Sequence, residues 1–212
     1  MSPKIEQFEK YSDAYDSWFE DNPDFYEAEL ETVRQMLPEN ATEGVEIGVG
    51  SGKFADPLGI RVGVEPSDKM ASKAIDRGID VCRGVAEALP FSGSRFDFVL
   101  MVTTICFVDD VLKSFKEAFR VLKPSGFIIV GFVDKQSKLG KEYARKKNES
   151  KFYGNAEFFS VQEVVNYLET AGFRTVKIRQ TLIPGELPGV IQNGFGSGAF
   201  VVIKGRKIKK IP

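Results

Sequence analysis

Seven residues, Glu46-Ile47-Gly48-Val49-Gly50-Ser51-Gly52, carry the densest chemical signal in the chain. A short apolar strand, Gly44-Val45-Glu46-Ile47, runs into them. Glycine at alternate positions allows a tight turn and lets a ligand approach the backbone, and a helix start beyond it would add free N–H groups. A glycine-rich turn alone is also consistent with a plain strand-to-helix connection. Glu65 separates the two readings. It ends the next apolar stretch, Arg61-Val62-Gly63-Val64, and so lies next door in a parallel sheet. There a carboxylate accepts hydrogen bonds from both hydroxyls of a ribose. Pro66 follows at the same strand end and goes with the site. Loop and acid together predict a nucleoside-containing ligand.

Spacing narrows the nucleoside. A phosphate-binding P-loop needs glycine at position 47 and Ser or Thr after Lys53, but the chain has Ile47 and Phe54. A dinucleotide fingerprint reads G-x-G-x-x-G, whereas here the third glycine comes one residue early, at Gly52. The chain contains no histidine. That excludes Ser-His-Asp and Cys-His catalysis and any histidine-ligated metal. Cys82 and Cys106 stand in apolar stretches outside any CxxC, which predicts two buried reduced thiols and no metal site.

With these residues in place the chain resembles the class I S-adenosylmethionine (SAM)-dependent methyltransferases, and within them the small-molecule branch of ubiquinone/menaquinone-biosynthesis type. The family's acid-x-G-x-G-x-G matches Glu46 to Gly52, and its acid after the second strand matches Glu65. G-D-A-E-x-L-P-F is matched by Gly84-Val85-Ala86-Glu87-Ala88-Leu89-Pro90-Phe91, F-D-x-V by Phe96-Asp97-Phe98-Val99, and R-V-L-K-P-G-G by Arg120-Val121-Leu122-Lys123-Pro124-Ser125-Gly126. The resemblance implies S-adenosyl-L-methionine as cofactor and places Glu46, Gly48, Gly50, Gly52, Glu65, Pro66, Val85, Ala86 and Glu87 around it. Two positions depart from the pattern. The stretch between Gly52 and Glu65 is short and contains Pro57, so the first helix is expected to be truncated. Val85 stands where the family's Asp receives the adenine amino group; Ala86 still offers its backbone N–H to the ring, and Glu87 is the nearest candidate for the amino group.

These groups need a scaffold. Apolar periodicity predicts a helix over residues 4–19 and a second, capped by Asp24, running to about residue 37. Then the chain alternates: strands at 44–47, 61–65, 81–83, 96–102 and 127–132, with helices at 53–58, 68–77 and 111–122. Ser160 caps a further helix with Glu163 three residues on, Gly172 stops it, and strands at 176–181 and 199–204 complete the count. Alternation of this kind predicts an α/β fold: a Rossmann-like, seven-stranded, mostly parallel sheet with helices on both faces and an antiparallel last strand. The ligand is expected at the carboxyl ends of the strands, near the topological switch point.

Residues 1–212 are read as one domain, with 1–40 an N-terminal helical lid and 134–159 a cap insertion. The N-terminal segment holds Tyr11, Tyr15, Trp18 and Phe19. Core packing explains such a face; the resemblance adds a second reading, in which Tyr11 and Tyr15 of a Y-x-x-x-Y-D segment cover the cofactor. Thr103 and Thr104 end the fourth strand, either as satisfied strand-end hydroxyls or beside the transferred methyl group. Acceptor contacts are expected from 134–159, which includes Phe152-Tyr153 and Phe158-Phe159, and from the Gly/Pro-rich connection 184–198. The lysines of 145–147 and of the 204–210 tail read as solvated. No catalytic base is assigned; Asp, Glu and Tyr are the residue types available.

Twenty-nine basic and thirty acidic side chains leave a net charge of −1, which gives no reason to expect a polyanionic partner. Residues 102–105, Val-Thr-Thr-Ile, lack the acid-Pro-Pro-aromatic signature of amino-directed DNA methyltransferases, and neither cysteine follows a proline. The expected partner is therefore a small-molecule methyl acceptor, with no nucleic acid and no membrane, in a cytoplasmic monomer or homodimer. The competing readings are a non-catalytic SAM-binding module and an NAD-type oxidoreductase.

Overall fold

The computed structural model describes residues 3–39 and 43–208. Its sheet has eight strands in the order β3-β2-β1-β4-β5-β8-β6-β7. β1 (Gly44–Ile47), β2 (Val62–Glu65), β3 (Asp80–Arg83), β4 (Phe96–Val102) and β5 (Leu122–Val133) run parallel. β8 (Phe200–Lys207) lies antiparallel between β5 and β6 (Phe173–Thr181), and β7 (Gln192–Asn193) adds a two-residue edge. The expected Rossmann-like architecture is present, with eight strands in place of seven. The extra one lies inside the Gly/Pro-rich connection, where no apolar alternation marks it. The sheet order reverses between β1 and β4, and a crevice opens beyond their carboxyl ends.

β4 shows how the layers form. Phe98, Leu100 and Val102 enter one apolar cluster, with Phe19 and Val33 of the N-terminal helices and Ala74. Val99 and Met101 point the other way, into a cluster with Phe115 and Leu168. This period of two, with both faces apolar, is that of a central strand covered by helices on each side. On one face lie α5 (Val111–Val121) and α7 (Val161–Ala171); on the other, α2 (Ser12–Asp21), α3 (Pro23–Arg34) and α4 (Asp68–Asp76). α7 begins with the expected capping box between Ser160 and Glu163 and stops at Gly172.

Several expected boundaries differ. The single helix over 4–19 is two, α1 (Pro3–Lys10) and α2, broken at Tyr11. α3 starts not from an Asp24 cap but with Pro23 at its first turn, Asn22 preceding it, because proline's fixed φ suits a helix start. Residues 53–58 form turns rather than a helix. Cys82 is half-buried and only Cys106 is buried; both are free thiols. The basic tail is not wholly solvated: Lys207 belongs to β8, and its Nζ donates to the Phe119 and Leu122 carbonyls. Residues 209–212 lie outside the described residues. Among the described residues, no helix is long and apolar enough to cross a membrane.

Candidate active site

The glycine loop is held by its neighbours. The N–H groups of Gly48 and Val49 both donate to the Val64 carbonyl, at 2.8 and 3.0 Å. Gly50 N–H donates to Glu65 Oε2 and Ser67 N–H to Glu65 Oε1, each at 2.9 Å. Ser67 in turn caps α4. Glu65 thus fastens the loop, the end of β2 and the start of α4 to one carboxylate. It is 6% exposed; burial pushes its carboxyl up to about 7, against the opposing pull of the two N–H donors. Gly48 and Gly50 have φ of +69° and +56°. A Cβ on Gly48 would lie 2.5 Å from Thr104 Cγ2, so that glycine serves backbone packing. A Cβ on Gly50 would meet only ordinary contacts with Met70 and Tyr15 and would project into the cleft.

That cleft has a volume of about 820 Å³ with its open mouth included. Gly48, Gly50, Glu65, Pro66, Val85, Ala86, Glu87, Thr103 and Tyr15 line it; Glu46, Gly52 and Tyr11 do not. Glu46 points to the opposite face of β1 from Val45 and Ile47, is 2% exposed and leaves Oε2 unpartnered. Its carboxyl is held well above the usual range by burial. Gly52 faces Ile79, whose Cδ1 would sit 2.6 Å from an added Cβ. Tyr11 packs on Phe152, ring centroids 6.3 Å apart. The resemblance places all three at the cofactor, but alternation along β1 turns Glu46 away, the helix break turns Tyr11 away, and Gly52 packs against Ile79 instead. Glu87 is committed elsewhere: its Oε1 accepts from Asp109 N–H and Asp110 N–H, at 2.6 and 3.1 Å. Val85 is 39% exposed at the rim.

α1 crosses the mouth of the cleft. Lys4 Nζ donates to the Val108 carbonyl at 2.6 Å and pairs with Asp109 at 3.3 Å. At the other end, Glu9 Oε1 accepts from the N–H groups of Asp68 and Lys69, at the start of α4. α2 is anchored beneath: Asp16 accepts from Ser51 Oγ in the glycine loop and pairs with Lys73 and Arg77. Phe8 and Phe107 also line the cleft. Phe8 belongs with the aromatic side chains of the N-terminal segment expected as a lid, whereas no motif marks Phe107, four residues beyond Thr103.

A second cavity, about 720 Å³ with open space included, adjoins the first. Phe8, Tyr15, Thr103 and Phe107 line both. Its other walls are Trp18, Phe19, Phe25, Glu29, Phe54, Val133, Leu139, Tyr143, Phe152 and Tyr153. Thr103, at the junction, has φ of +52°, a left-handed conformation that costs a β-branched residue on the order of 1–3 kcal/mol and clusters at functional sites. Burial raises the hydroxyls of Tyr15 and Tyr153 well above the usual tyrosine range. Of the two expected acceptor segments, only 134–159 reaches this cavity, through Leu139, Tyr143, Phe152 and Tyr153. Residues of 184–198 line a separate surface depression that shares only Phe25 and Leu139 with it.

Residues 45–130 match the methyltransferase domain family. The chain is 42% identical over 205 residues to an uncharacterized protein of Methanocaldococcus jannaschii, covering 95% of this chain and 98% of that one. It superposes with a TM-score of 0.92 on a SAM-dependent methyltransferase of Thermotoga maritima, described as a possible histamine N-methyltransferase, at 47% identity and covering 97% of this chain and 100% of the other. The chain belongs to the class I SAM-dependent methyltransferases. Its cofactor is S-adenosylmethionine. A more distant relative of this methyltransferase is the ubiquinone biosynthesis O-methyltransferase of Azorhizobium caulinodans, 28% identical over 157 residues, covering 66% of this chain and 62% of that protein. The cleft of the methyltransferase suits the cofactor on its own chemistry: a buried carboxylate, a glycine with no side chain in the way, and apolar walls from Met70, Phe8 and Val108.

Proposed function

We propose that this chain transfers a methyl group from S-adenosylmethionine to a small molecule held in the aromatic cavity, through the passage bounded by Phe8, Tyr15, Thr103 and Phe107. The observation that carries the reading is that two cavities, one beside the glycine loop and Glu65 and one walled by aromatic rings, share those four residues. The cofactor supplies the electrophilic methyl; the protein's share is orientation and exclusion of water. Glu65 accepts from the ribose hydroxyls, the 48–50 backbone lies against the amino-acid portion, and Val85, Ala86 and Glu87 border the adenine. Among the described residues, no Lys or Arg lines the aromatic cavity, which disfavours a polyanionic acceptor. A thermal-shift comparison of SAM, S-adenosylhomocysteine, NAD and NADP tests the reading, since a ligand that binds only the native state raises its stability. Stabilisation is expected with the first two, and stabilisation by NAD alone would sink the proposal.

Glu65→Ala is expected to weaken SAM binding by on the order of 1.5–3 kcal/mol, the scale of hydrogen bonds to a charged group. The ionised carboxylate is the form that accepts from both ribose hydroxyls, and its carboxyl titrates near 7 in the free protein. Affinity for S-adenosylhomocysteine is therefore expected to rise with pH through about 7, and Glu65→Gln to flatten that rise. Calorimetry on the folded variants reads both effects. Unchanged affinity in Glu65→Ala would move the ribose contact elsewhere.

α1 is proposed as the lid. Phe19 of α2 is 6% exposed within the apolar cluster it shares with β4, so the part free to move is α1, with its hinge at Tyr11. Hydrogen exchange is expected to slow markedly over residues 4–11 when S-adenosylhomocysteine is added, with less change over 12–21. Equal protection with and without ligand would leave α1 as fixed packing and remove the lid from the account.

A further inference from the structure

Glu29 is the feature of the aromatic cavity that packing does not explain. It lies on α3 at 6% exposure and lines that cavity. Among the described residues, its carboxyl makes no hydrogen bond or ion pair, and burial alone pushes it up to about 8. An apolar side chain of similar volume would spare the cost of burying an unpartnered carboxyl. Around it the cavity presents Trp18, Phe54, Phe152 and three tyrosines, Tyr15, Tyr143 and Tyr153, each of whose hydroxyls feels the Glu29 charge. Aromatic faces attract cations. Lys53 lies 5.7 Å over the ring of Phe19, one of these walls, and pairs with Glu20, an exposed side chain. A cage of rings with one carboxyl and, among the described residues, no basic lining residue suits a cation on a compact apolar body and repels an anion.

Resting on the methyl-transfer reading, we propose that the acceptor is an amine on a compact apolar body, seated in this cavity with its nitrogen on the Glu29 carboxyl. As the amine enters as an ammonium, the Glu29 carboxyl gives up its own proton to solvent, and the resulting carboxylate takes one of the ammonium protons. The freed nitrogen lone pair then forms the new N–CH3 bond as the C–S bond of the sulfonium breaks, that electron pair passing to sulfur. A methylammonium product and protonated Glu29 result, and the proton returns to solvent when the cavity opens. The side chain touches the reacting nitrogen and is in that sense catalytic.

The test uses the full chain loaded with S-adenosylhomocysteine and a panel of primary arylalkylamines, each paired with its alcohol and carboxylate counterparts, 2-phenylethylamine, 2-phenylethanol and 3-phenylpropionate among them. Calorimetry is expected to show amine members binding at least about tenfold more tightly than their alcohols, a preference of about 1.4 kcal/mol, with carboxylates silent. Glu29→Gln should erase the preference while leaving S-adenosylhomocysteine affinity unchanged. With SAM, release of S-adenosylhomocysteine should follow the amines and fall at least about 100-fold in Glu29→Gln. Equal binding of alcohols or carboxylates, silence across the panel in a protein that binds S-adenosylhomocysteine, or an amine preference that survives Glu29→Gln would each overturn the proposal. Failure to bind S-adenosylhomocysteine at all would instead defeat the methyl-transfer reading beneath it.

Discussion

Gly50→Val is expected to abolish S-adenosylhomocysteine binding, by at least about 100-fold, and to leave a folded domain. Two effects act together. The residue sits at φ of +56°, where a β-branched side chain is strained. Its side chain would also enter the cleft beside Glu65, Met70 and Tyr15. Strain alone costs on the order of 1–2 kcal/mol and weakens the fold; occupation of the cleft removes the cofactor's room and weakens binding. Gly59 separates the two effects. It has φ of +72° with nothing within 4 Å of an added Cβ, so Gly59→Ala should lose a similar stability and keep full affinity. Calorimetry and urea unfolding on both variants supply the comparison. Near-normal binding by Gly50→Val would mean that the loop glycines serve only the turn.

Glu29→Gln is expected to stabilise the ligand-free protein in alkali and to change it little in acid. The carboxyl titrates near 4.5 in the unfolded chain and near 8 in the fold. Between those values the native state holds a proton that the unfolded chain has lost, so stability falls as pH rises and levels off above about 8. A shift of that size corresponds to on the order of 3–5 kcal/mol. The protonated carboxyl and the amide are both neutral, partnerless polar groups of similar size and cost about the same to bury, so the variant is favoured by about 3–5 kcal/mol above pH 8. Glu46 and Glu65, both raised by burial, act in the same direction but are common to the two proteins. Unfolding free energies measured from pH 5 to 9 should therefore diverge. Parallel curves would show that Glu29 is not protonated in the fold, and its place in the cavity would need another explanation. A site that weakens the fold when empty is the usual mark of a group retained for its ligand.

The sequence by itself determined where the glycine loop and its neighbouring acid stand in this protein. The Glu46 to Gly52 loop and Glu65 sit at the ends of adjacent strands, and local pattern reports such positions because each strand carries its own alternation and each turn its own glycine. β4, α5 and α7 were legible for the same reason, within a residue at each end, because their periodicity and caps are local. Local pattern could not say which side of β1 Glu46 takes, nor that Tyr11 breaks the N-terminal helix and turns away, nor that 53–58 stays in turns. The aromatic cavity, proposed as the acceptor site, was almost wholly a tertiary decision. Glu29 stands beside Ala28 and four residues before Val33 on the buried face of α3, so an acid on that face was there to be read. Its meaning came only when α2, α6 (Lys138–Arg145) and the β4 end closed a ring of aromatic side chains around it. Those residues come from segments more than a hundred positions apart, and no spacing within one segment encodes which of them meet. Burial then raises the Glu29 carboxyl, because desolvation depends on everything that surrounds a group and not on its neighbours in the chain.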